Sequence, residues 1–406
     1  MTLHIVGGVY QEYCVHPRWN EIYGSAGRAA HAIATFGTPV VLHSYMTGDT
    51  LQVLKDKSVW LDTSFEIVQT EIPDIVRFTY LYDMAVPDIR GVPERPYTPL
   101  VVSEEKVLRF GMLEGDAVVH ADWAVYDPQN VRNVQPFNAN GSTAIHLALV
   151  LNANEACNMA GMPDEHPSKT AAVLAQQHGA EVVVVKMGPE GAFVWTSTGG
   201  EQVPAFRTNR VWKIGSGDCF VAHFANAWMH NGMTPTKAAE IASRATAYYC
   251  DTQGFPTADK LSKESFSPLQ LSNSYLNGMR RQVYLAGPFF DLAQVWMVQQ
   301  TRATLRNLGL RVFSPYHDIG LGCAEDVVGK DLEAIQTADL ILAITDGLDS
   351  GTIYEIGYAR ALNKPVIVYS ERHIGESLKM MEGSGCMICG DYTTALYTTL
   401  WEAVRL

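Results

Sequence analysis

Short unbroken apolar runs alternate with longer amphipathic stretches along this chain. In the first two-thirds, residues 118–119, 144–151 and 182–185 have this character, and in the last third residues 282–285, 340–344 and 365–369 do. A strand buried on both faces shows an apolar run without polar alternation, as in a parallel sheet covered by helices. The pattern therefore predicts two α/β parts, each with a mostly parallel sheet. Between them, residues 257–280 are rich in Ser, Lys, Asn and Gln, contain Pro268 and Gly278, and lack an apolar period. This stretch is expected to be a linker with room for one short helix. The expected division is residues 1–256, a linker over 257–280, and residues 281–406. No internal repeat or low-complexity segment is visible.

Composition narrows the partners. The 406 residues are 47% hydrophobic and 18% charged, enough for two or three domains with real cores. The net charge of −13 falls on both parts, with no basic cluster. Such a surface repels phosphate backbones and anionic membranes, so a small molecule is the expected partner rather than nucleic acid or a membrane. The first residues lack a charged and apolar leader, and no apolar stretch reaches spanning length. The 7 cysteines are odd in number and scattered, which fits reduced thiols and a cytoplasmic location. Cys386 and Cys389 form a lone C-x-x-C with no second ligand pair nearby, and are expected as free thiols.

The sharpest motif in the first part is Gly215-Ser216-Gly217-Asp218, just before an apolar, helix-compatible run over 221–228. Two glycines around a small residue let successive N–H groups converge at a helix start, forming an anion hole. An aspartate directly after it can take a proton from a hydroxyl while the hole holds a transferring phosphoryl group. Alone, the motif equally fits an ordinary helix cap. Its company raises its value: Asn152-Ala153-Asn154-Glu155 at a strand end, Lys186-Met187-Gly188 at the next, and Tyr23-Gly24-Ser25-Ala26-Gly27-Arg28 opening a small-residue helix.

In order and spacing, these elements over about residues 1–256 resemble the PfkB (ribokinase-like) family of sugar and nucleoside kinases. The resemblance implies Asp218 as general base and Gly215, Ser216 and Gly217 as anion hole. It also implies Asn152 and Glu155 as organisers of Mg²⁺ and phosphate, with no direct metal ligand assigned, and Lys186 and Gly188 beside the ATP. It departs from the family at Trp212-Lys213-Ile214 before the glycines, and at Glu12, Tyr23 and Arg28 in the acceptor region. Arg28 either pairs with an acidic or phosphorylated acceptor or lies at the surface of a helix start.

In the last part, Val283-Tyr284-Leu285-Ala286-Gly287-Pro288 is a strand running into a turn, suited to a ligand at the sheet's carboxyl edge. Asp331 is placed at a helix start. Asp346 and Asp349 follow the run 340–344, and Glu355 sits in the first turns of the next helix, whose dipole is expected to keep it ionised. Several carboxylates around one crevice suit an oxocarbenium-like transition state, with one attacking C1′ and another handling the leaving group's proton. The opposing reading is that Asp349 and Ser350 merely cap the helix and Glu355 faces solvent.

The run Asp349-Ser350-Gly351-Thr352-Ile353-Tyr354-Glu355-Ile356-Gly357-Tyr358-Ala359 resembles the nucleoside 2-deoxyribosyltransferase family, over residues 282 to about 400. That implies a flavodoxin-like five-stranded parallel sheet, Glu355 as nucleophile, Asp331 helping to protonate the base, and Tyr284 and Gly287 lining the base pocket. Asp349 stands where such transferases hold a free 5′-hydroxyl, which disfavours a 5′-monophosphate beside its charge. Residues 377–381 lack the Asn that the family lends to a neighbouring subunit's site, which points to water as acceptor. The resemblance also implies a homo-oligomer.

Together these readings predict a ribokinase-like parallel-sheet domain, then a flavodoxin-like one. The expected activities are ATP- and Mg²⁺-dependent phosphorylation of a sugar or nucleoside hydroxyl, and cleavage or transfer of an N-glycosidic bond. The rival expectation is a nucleotide-depleting effector, with the glycosidase as output and the kinase-like part as ligand sensor.

Overall fold

In the computed structural model, residues 2–129, 134–163, 165–320, 322–373 and 375–406 are described. The chain divides into two units, Met1–Pro268 and Leu269–Leu406.

The first unit runs β1 (Leu3–Val6), β2 (Gln11–Cys14), β3 (Trp19–Ile22), α1 (Gly24–Thr35), β4 (Val40–Met46), α2 (Gly48–Trp60), β5 (Glu66–Glu71), β6 (Arg77–Tyr80), β7 (Asp88–Arg90), β8 (Leu100–Phe110), β9 (Ala117–Asp127), β10 (Thr143–Asn152), α3 (Ala153–Ala160), α4 (Pro167–His178), β11 (Val182–Lys186), β12 (Ala192–Thr196), β13 (Gly199–Val203), α5 (Ser216–Ala225), α6 (Pro235–Thr252) and α7 (Ala258–Lys263). Nine strands form one sheet in the order β13-β12-β11-β10-β9-β8-β1-β4-β5. From β11 to β5 neighbours are parallel, and β12 and β13 close one edge antiparallel. A second sheet, β3-β2-β6-β7, carries the residues just after β1 and those before β8.

The apolar runs place residues in two cores at once. Side chains alternate across a strand, so Val182 and Val184 join one cluster with α1, α5 and α6, while Val183 and Val185 join the other with α3 and α4. Residues 147–151 divide in the same way. α1 presents Ala26, Ala29, Ala30 and Ala32, small enough for close approach of α5.

β8 and β9 pair in parallel from Leu100↔Ala117 to Phe110↔Asp127, yet only residues 111–116 join them. Six residues reach about 20 Å, whereas an eleven-residue strand spans about 35 Å, so the pair must bend. The bend shows as a register gap at Glu105 and as packing of Leu100, Val102, Ala117 and Val119 in the same cluster as Val107, Ala124 and Tyr126. It brings the segment before β8 beside the segment after it, with Tyr97 N donating to Glu114 O at 2.8 Å and Leu100 N to Asp116 O at 2.9 Å.

The second unit runs α8 (Asn273–Leu276), β14 (Gln282–Ala286), α9 (Leu292–Asn307), β15 (Arg311–Phe313), α10 (Pro315–Asp318), α11 (Ala324–Thr337), β16 (Leu340–Ile344), α12 (Ser350–Ala361), β17 (Val366–Tyr369), α13 (Lys379–Gly383), β18 (Met387–Cys389) and α14 (Tyr392–Arg405). Its five strands are all parallel, in the order β15-β14-β16-β17-β18. This is the flavodoxin-like order 2-1-3-4-5, whose ligands bind beyond the carboxyl ends of the strands where the order reverses, here between β14 and β16. The polar stretch 257–280 holds two short helices, α7 and α8, rather than one. Among the described residues no helix is long and apolar enough to cross a membrane. The 7 cysteines are free thiols.

Candidate active sites

In the first unit, Gly215 precedes α5 at φ 76°, and no side chain caps that helix. The first-turn amides thus face outward without a side-chain acceptor, and Asp218 sits in the same turn. A Cβ on Gly215 would lie 2.0 Å from Arg28 Nε, so the guanidinium as well as the backbone requires glycine here.

Arg28 is neither at the surface nor open to a ligand. It is 0% exposed. It donates to Asp218 Oδ2 at 2.8 Å, to both oxygens of buried Glu12, to Gly24 O and, through Nε, to the Tyr249 hydroxyl at 3.1 Å. The surface reading of Arg28 is corrected: α1 turns it inward, where Glu12, Gly24 O, Asp218 and Tyr249 accept from its guanidinium. Burial pushes the Glu12 carboxyl up from its ordinary value, and Arg28 opposes the shift. Glu12, expected to contact an acceptor, pairs with Arg28. The other oxygen of Asp218 is also engaged: Gln129 Nε2 donates to Oδ1 at 2.6 Å, and Ser25 Oγ fixes Gln129 Oε1 at 2.5 Å.

On the other side of the α5 start stands a buried charge cluster. Lys186, at the end of β11, pairs with Asp127 Oδ2 at 2.8 Å, and its ammonium would lie 3.7 Å from a Cβ on Gly217. Burial works against the Lys186 charge, but Asp127 and Glu155 outweigh it and hold its pKa above the ordinary value. Glu155 is pushed up to about 7, first by burial and then by the charge of Asp127, with Lys186 opposing. Asn152 and Glu155 form a capping box at the start of α3, Glu155 N donating to Asn152 Oδ1 and Asn152 N to Glu155 Oε2, each at 2.9 Å. Gly188 turns at φ 57° with open space beside it.

The donor set fits a polyphosphate: uncapped helix amides, the partly exposed Lys186 ammonium beside them, and nearby carboxylates suited to a hard cation. Among the described residues no group of three His, Cys, Asp or Glu is placed to hold a metal by itself. Sequence reasoning missed Asp127 and Gln129. Asp127 ends a strand as Asn152 and Lys186 do, and that shared position was the available signal; Gln129 had none.

In the second unit, Tyr284 on β14 donates its hydroxyl to Glu355 Oε1 on α12 at 2.6 Å. Tyr284 is 0% exposed, and its ring stacks on Phe313. The Glu355 carboxyl is pushed up to about 7. Burial is the main cause, the Tyr284 bond opposes it, and the charges of Asp331 and Asp349 add to it. Burial thus opposes the helix dipole that was expected to keep Glu355 ionised.

Asp331 lies in the middle of α11, seven residues past its start at Ala324 rather than at a helix start, because Cys323-Ala324-Glu325-Asp326 opens the helix. Burial raises its carboxyl too, and its buried Oδ1 has no hydrogen-bond partner. Asp349 caps α12, Oδ2 accepting from Thr352 N at 2.8 Å and Thr352 Oγ1 at 2.9 Å, so the capping reading holds for this residue. Asp346 turns the other way, accepting from the backbone of Glu371 and Arg372 after β17. Gly287 serves close packing, since a Cβ there would lie 3.2 Å from Ile344 Cβ. The structure thus gathers Glu355, Tyr284, Asp331 and Asp349.

Two α/β units carry these groups, one with an uncapped helix start beside Asp218 and one with a carboxylate cluster around Glu355. The chain is a fusion resembling two families: residues 140–257 match the model of the pfkB family carbohydrate kinases, and residues 283–384 match that of nucleoside 2-deoxyribosyltransferase. The fold class is accordingly a ribokinase-like sheet domain followed by a flavodoxin-like one.

Similar solved structures include a Methanocaldococcus jannaschii nucleoside kinase of the ribokinase family, 14% identical, with 64% of this chain and 97% of that one covered at TM-score 0.48. Arabidopsis thaliana ribokinase complexed with ribose and ATP is 15% identical, with 65% and 99% covered at 0.49. A pyrophosphate-dependent kinase of the ribokinase family, complexed with a pyrophosphate analog and myo-inositol, is 15% identical, with 65% and 100% covered at 0.45. No curated protein sequence matches the chain.

Proposed function

We propose that the chain is a bifunctional nucleoside-metabolising enzyme, whose second unit breaks the N-glycosidic bond of a (deoxy)nucleoside and whose first unit transfers phosphate from ATP to a sugar or nucleoside hydroxyl. The observation that carries this reading is Glu355: a buried carboxylate held by a phenol, beside a second carboxyl with a raised pKa. Ionised Glu355 attacks C1′ as the bond to the base breaks. Asp331, whose carboxyl burial pushes up from its ordinary value, gives a proton to the departing base. Water then cleaves the glycosyl ester and returns a proton to the site. Asp349, one oxygen spent on its cap, faces the sugar and favours a free 5′-hydroxyl.

In the first unit, Asp218 accepts the acceptor's proton as its oxygen attacks phosphorus, and the α5 amides and Lys186 offset the charge that develops. Mg²⁺ would be held near Asp127 and Glu155 and would neutralise phosphate charge. A second reading is favoured by one observation: both oxygens of Asp218 are already hydrogen-bonded, by Arg28 and Gln129. In that reading the first unit senses a ligand and the glycosidase is the output.

Incubation with a nucleoside panel, with and without Mg-ATP, followed by mass spectrometry, tests the proposal. Free bases are expected in both arms and a phosphorylated acceptor only with Mg-ATP. Absence of free base from every nucleoside would overturn the glycosidase assignment, and base release only when ATP or another ligand is present would establish the sensing reading.

A further inference from the structure

A cavity of about 700 Å³ opens where β1 and β8 diverge. From β1 the chain continues to β4 and β5 on one side, and from β8 to β9, β10 and β11 on the other. That is the switch point of the sheet, where open α/β sheets bind ligands. The bend in β8 and β9 supplies walls from both sides of β8: Tyr97 before it, Met112 after it. Tyr10 and Phe78 add to the lining, their rings 5.1 Å apart. Phe78 and Tyr97 are only partly buried and present ring area to the cavity. Gln129, which lines the same cavity, is the residue that bonds Asp218 Oδ1, so the cavity leads to the candidate base.

The polar capacity of this space is small. Glu12, the cross-strand partner of Phe78, is bonded to Arg28 and does not line the cavity. Asp116 is engaged by Arg109 and Asn140, each at 2.7 Å. A free sugar needs several hydroxyls read by polar groups, whereas a planar aromatic group finds the partly exposed rings of Phe78 and Tyr97. Gln129 holds a strained left-handed backbone, φ 51°, for a residue that has a Cβ. Its amide stands where a hydroxyl must stand to give its proton to Asp218.

We propose that this cavity takes the base of a nucleoside, whose sugar hydroxyl replaces the Gln129 amide on Asp218. The proposal rests on the kinase reading of the first unit and names its acceptor class: a nucleoside, not a free sugar. Stacking on rings discriminates between the two by about tenfold or more.

The test is photolabelling of the full Glu355→Ala chain, in which the probe is not cleaved, with an azidopurine nucleoside and peptide mapping. Label is expected on peptides from residues 78–129, competed by unlabelled nucleoside at concentrations about tenfold or more below those needed with ribose. Phe78→Ala is expected to cut this label by about tenfold, and Phe78→Leu, which keeps apolar bulk without the ring, by a similar factor, while label within 283–384 stays constant as a folding control. No label in 78–129, or ribose competing equally, overturns the proposal. A parallel arm with Mg-ATP separates the two claims. Labelling without phosphoryl transfer to the nucleoside leaves the cavity assignment standing and removes the kinase reading; transfer to ribose with no labelling does the reverse.

Discussion

At the scale of single residues, the protonation of Glu355 decides when the second site works. As nucleophile it must be a carboxylate, and its pKa is pushed up to about 7. Below that value it is mostly protonated and inert, so kcat/KM for base release is expected to rise with pH through about 7, with a slope of about tenfold per unit on the acid side. Tyr284 donates to the carboxylate and so favours its ionised form. Tyr284→Phe removes the donor, and the acid limb is expected to move to higher pH. A pH–rate profile checks both; a limb near the ordinary glutamate range, or one unmoved in Tyr284→Phe, refutes the assignment. Glu355 was singled out by the resemblance of residues 349–359 to the transferase motif. Its ionisation was not legible there: a helix dipole is worth about 0.3–1 kcal/mol, less than the 1.36 kcal/mol of a single pKa unit. The larger influences, burial and the charge of Asp331, come from β14 and α11, which no local window contains.

At the scale of elements, Arg28 is the tie between β2, α1, α5 and α6, through Glu12, its own helix, Asp218 and Tyr249. A buried pair adds little over a well-packed apolar substitute, but removal of one partner strands the other. Arg28→Met is therefore expected to destabilise the first unit by about 3–5 kcal/mol, and the double variant Arg28→Met, Glu12→Leu to recover a large part of that loss. Urea unfolding followed by tryptophan fluorescence measures both. No loss in Arg28→Met would show that Glu12 is satisfied without it. The small-residue helix carrying Arg28 was readable in the sequence, as were the strands around it. The inward turn of Arg28 was not, because Glu12 and Tyr249 lie 16 and 221 positions away. Asn152 and Glu155 show the converse: their spacing was read as chemistry, and the structure adds that the same spacing builds a capping box.

For the whole molecule, the question is whether two units mean two activities. Each unit has its own core, and each contains one of the two family matches. The polar stretch 257–280, which looked like a plain linker, is shared between them. Arg207 N reaches Ser267 O at 3.0 Å within the first unit, and Ser272 N reaches Val404 O at 2.9 Å within the second. Those pairings span up to 132 positions and leave no periodic trace in the sequence. Units with separate cores unfold with separate transitions. Scanning calorimetry of the full chain is expected to show two, with Arg28→Met lowering only the one that belongs to the first unit. The same separability extends to chemistry. Asp218→Asn is expected to abolish phosphoryl transfer while leaving base release within about twofold, and Glu355→Ala to do the opposite, since each variant removes one catalytic group and touches neither the other site nor its core. If base release instead collapses with Asp218→Asn while both calorimetric transitions stay in place, the two sites are coupled. The first unit then acts as the regulator of the second, as its doubly bonded Asp218 already allows.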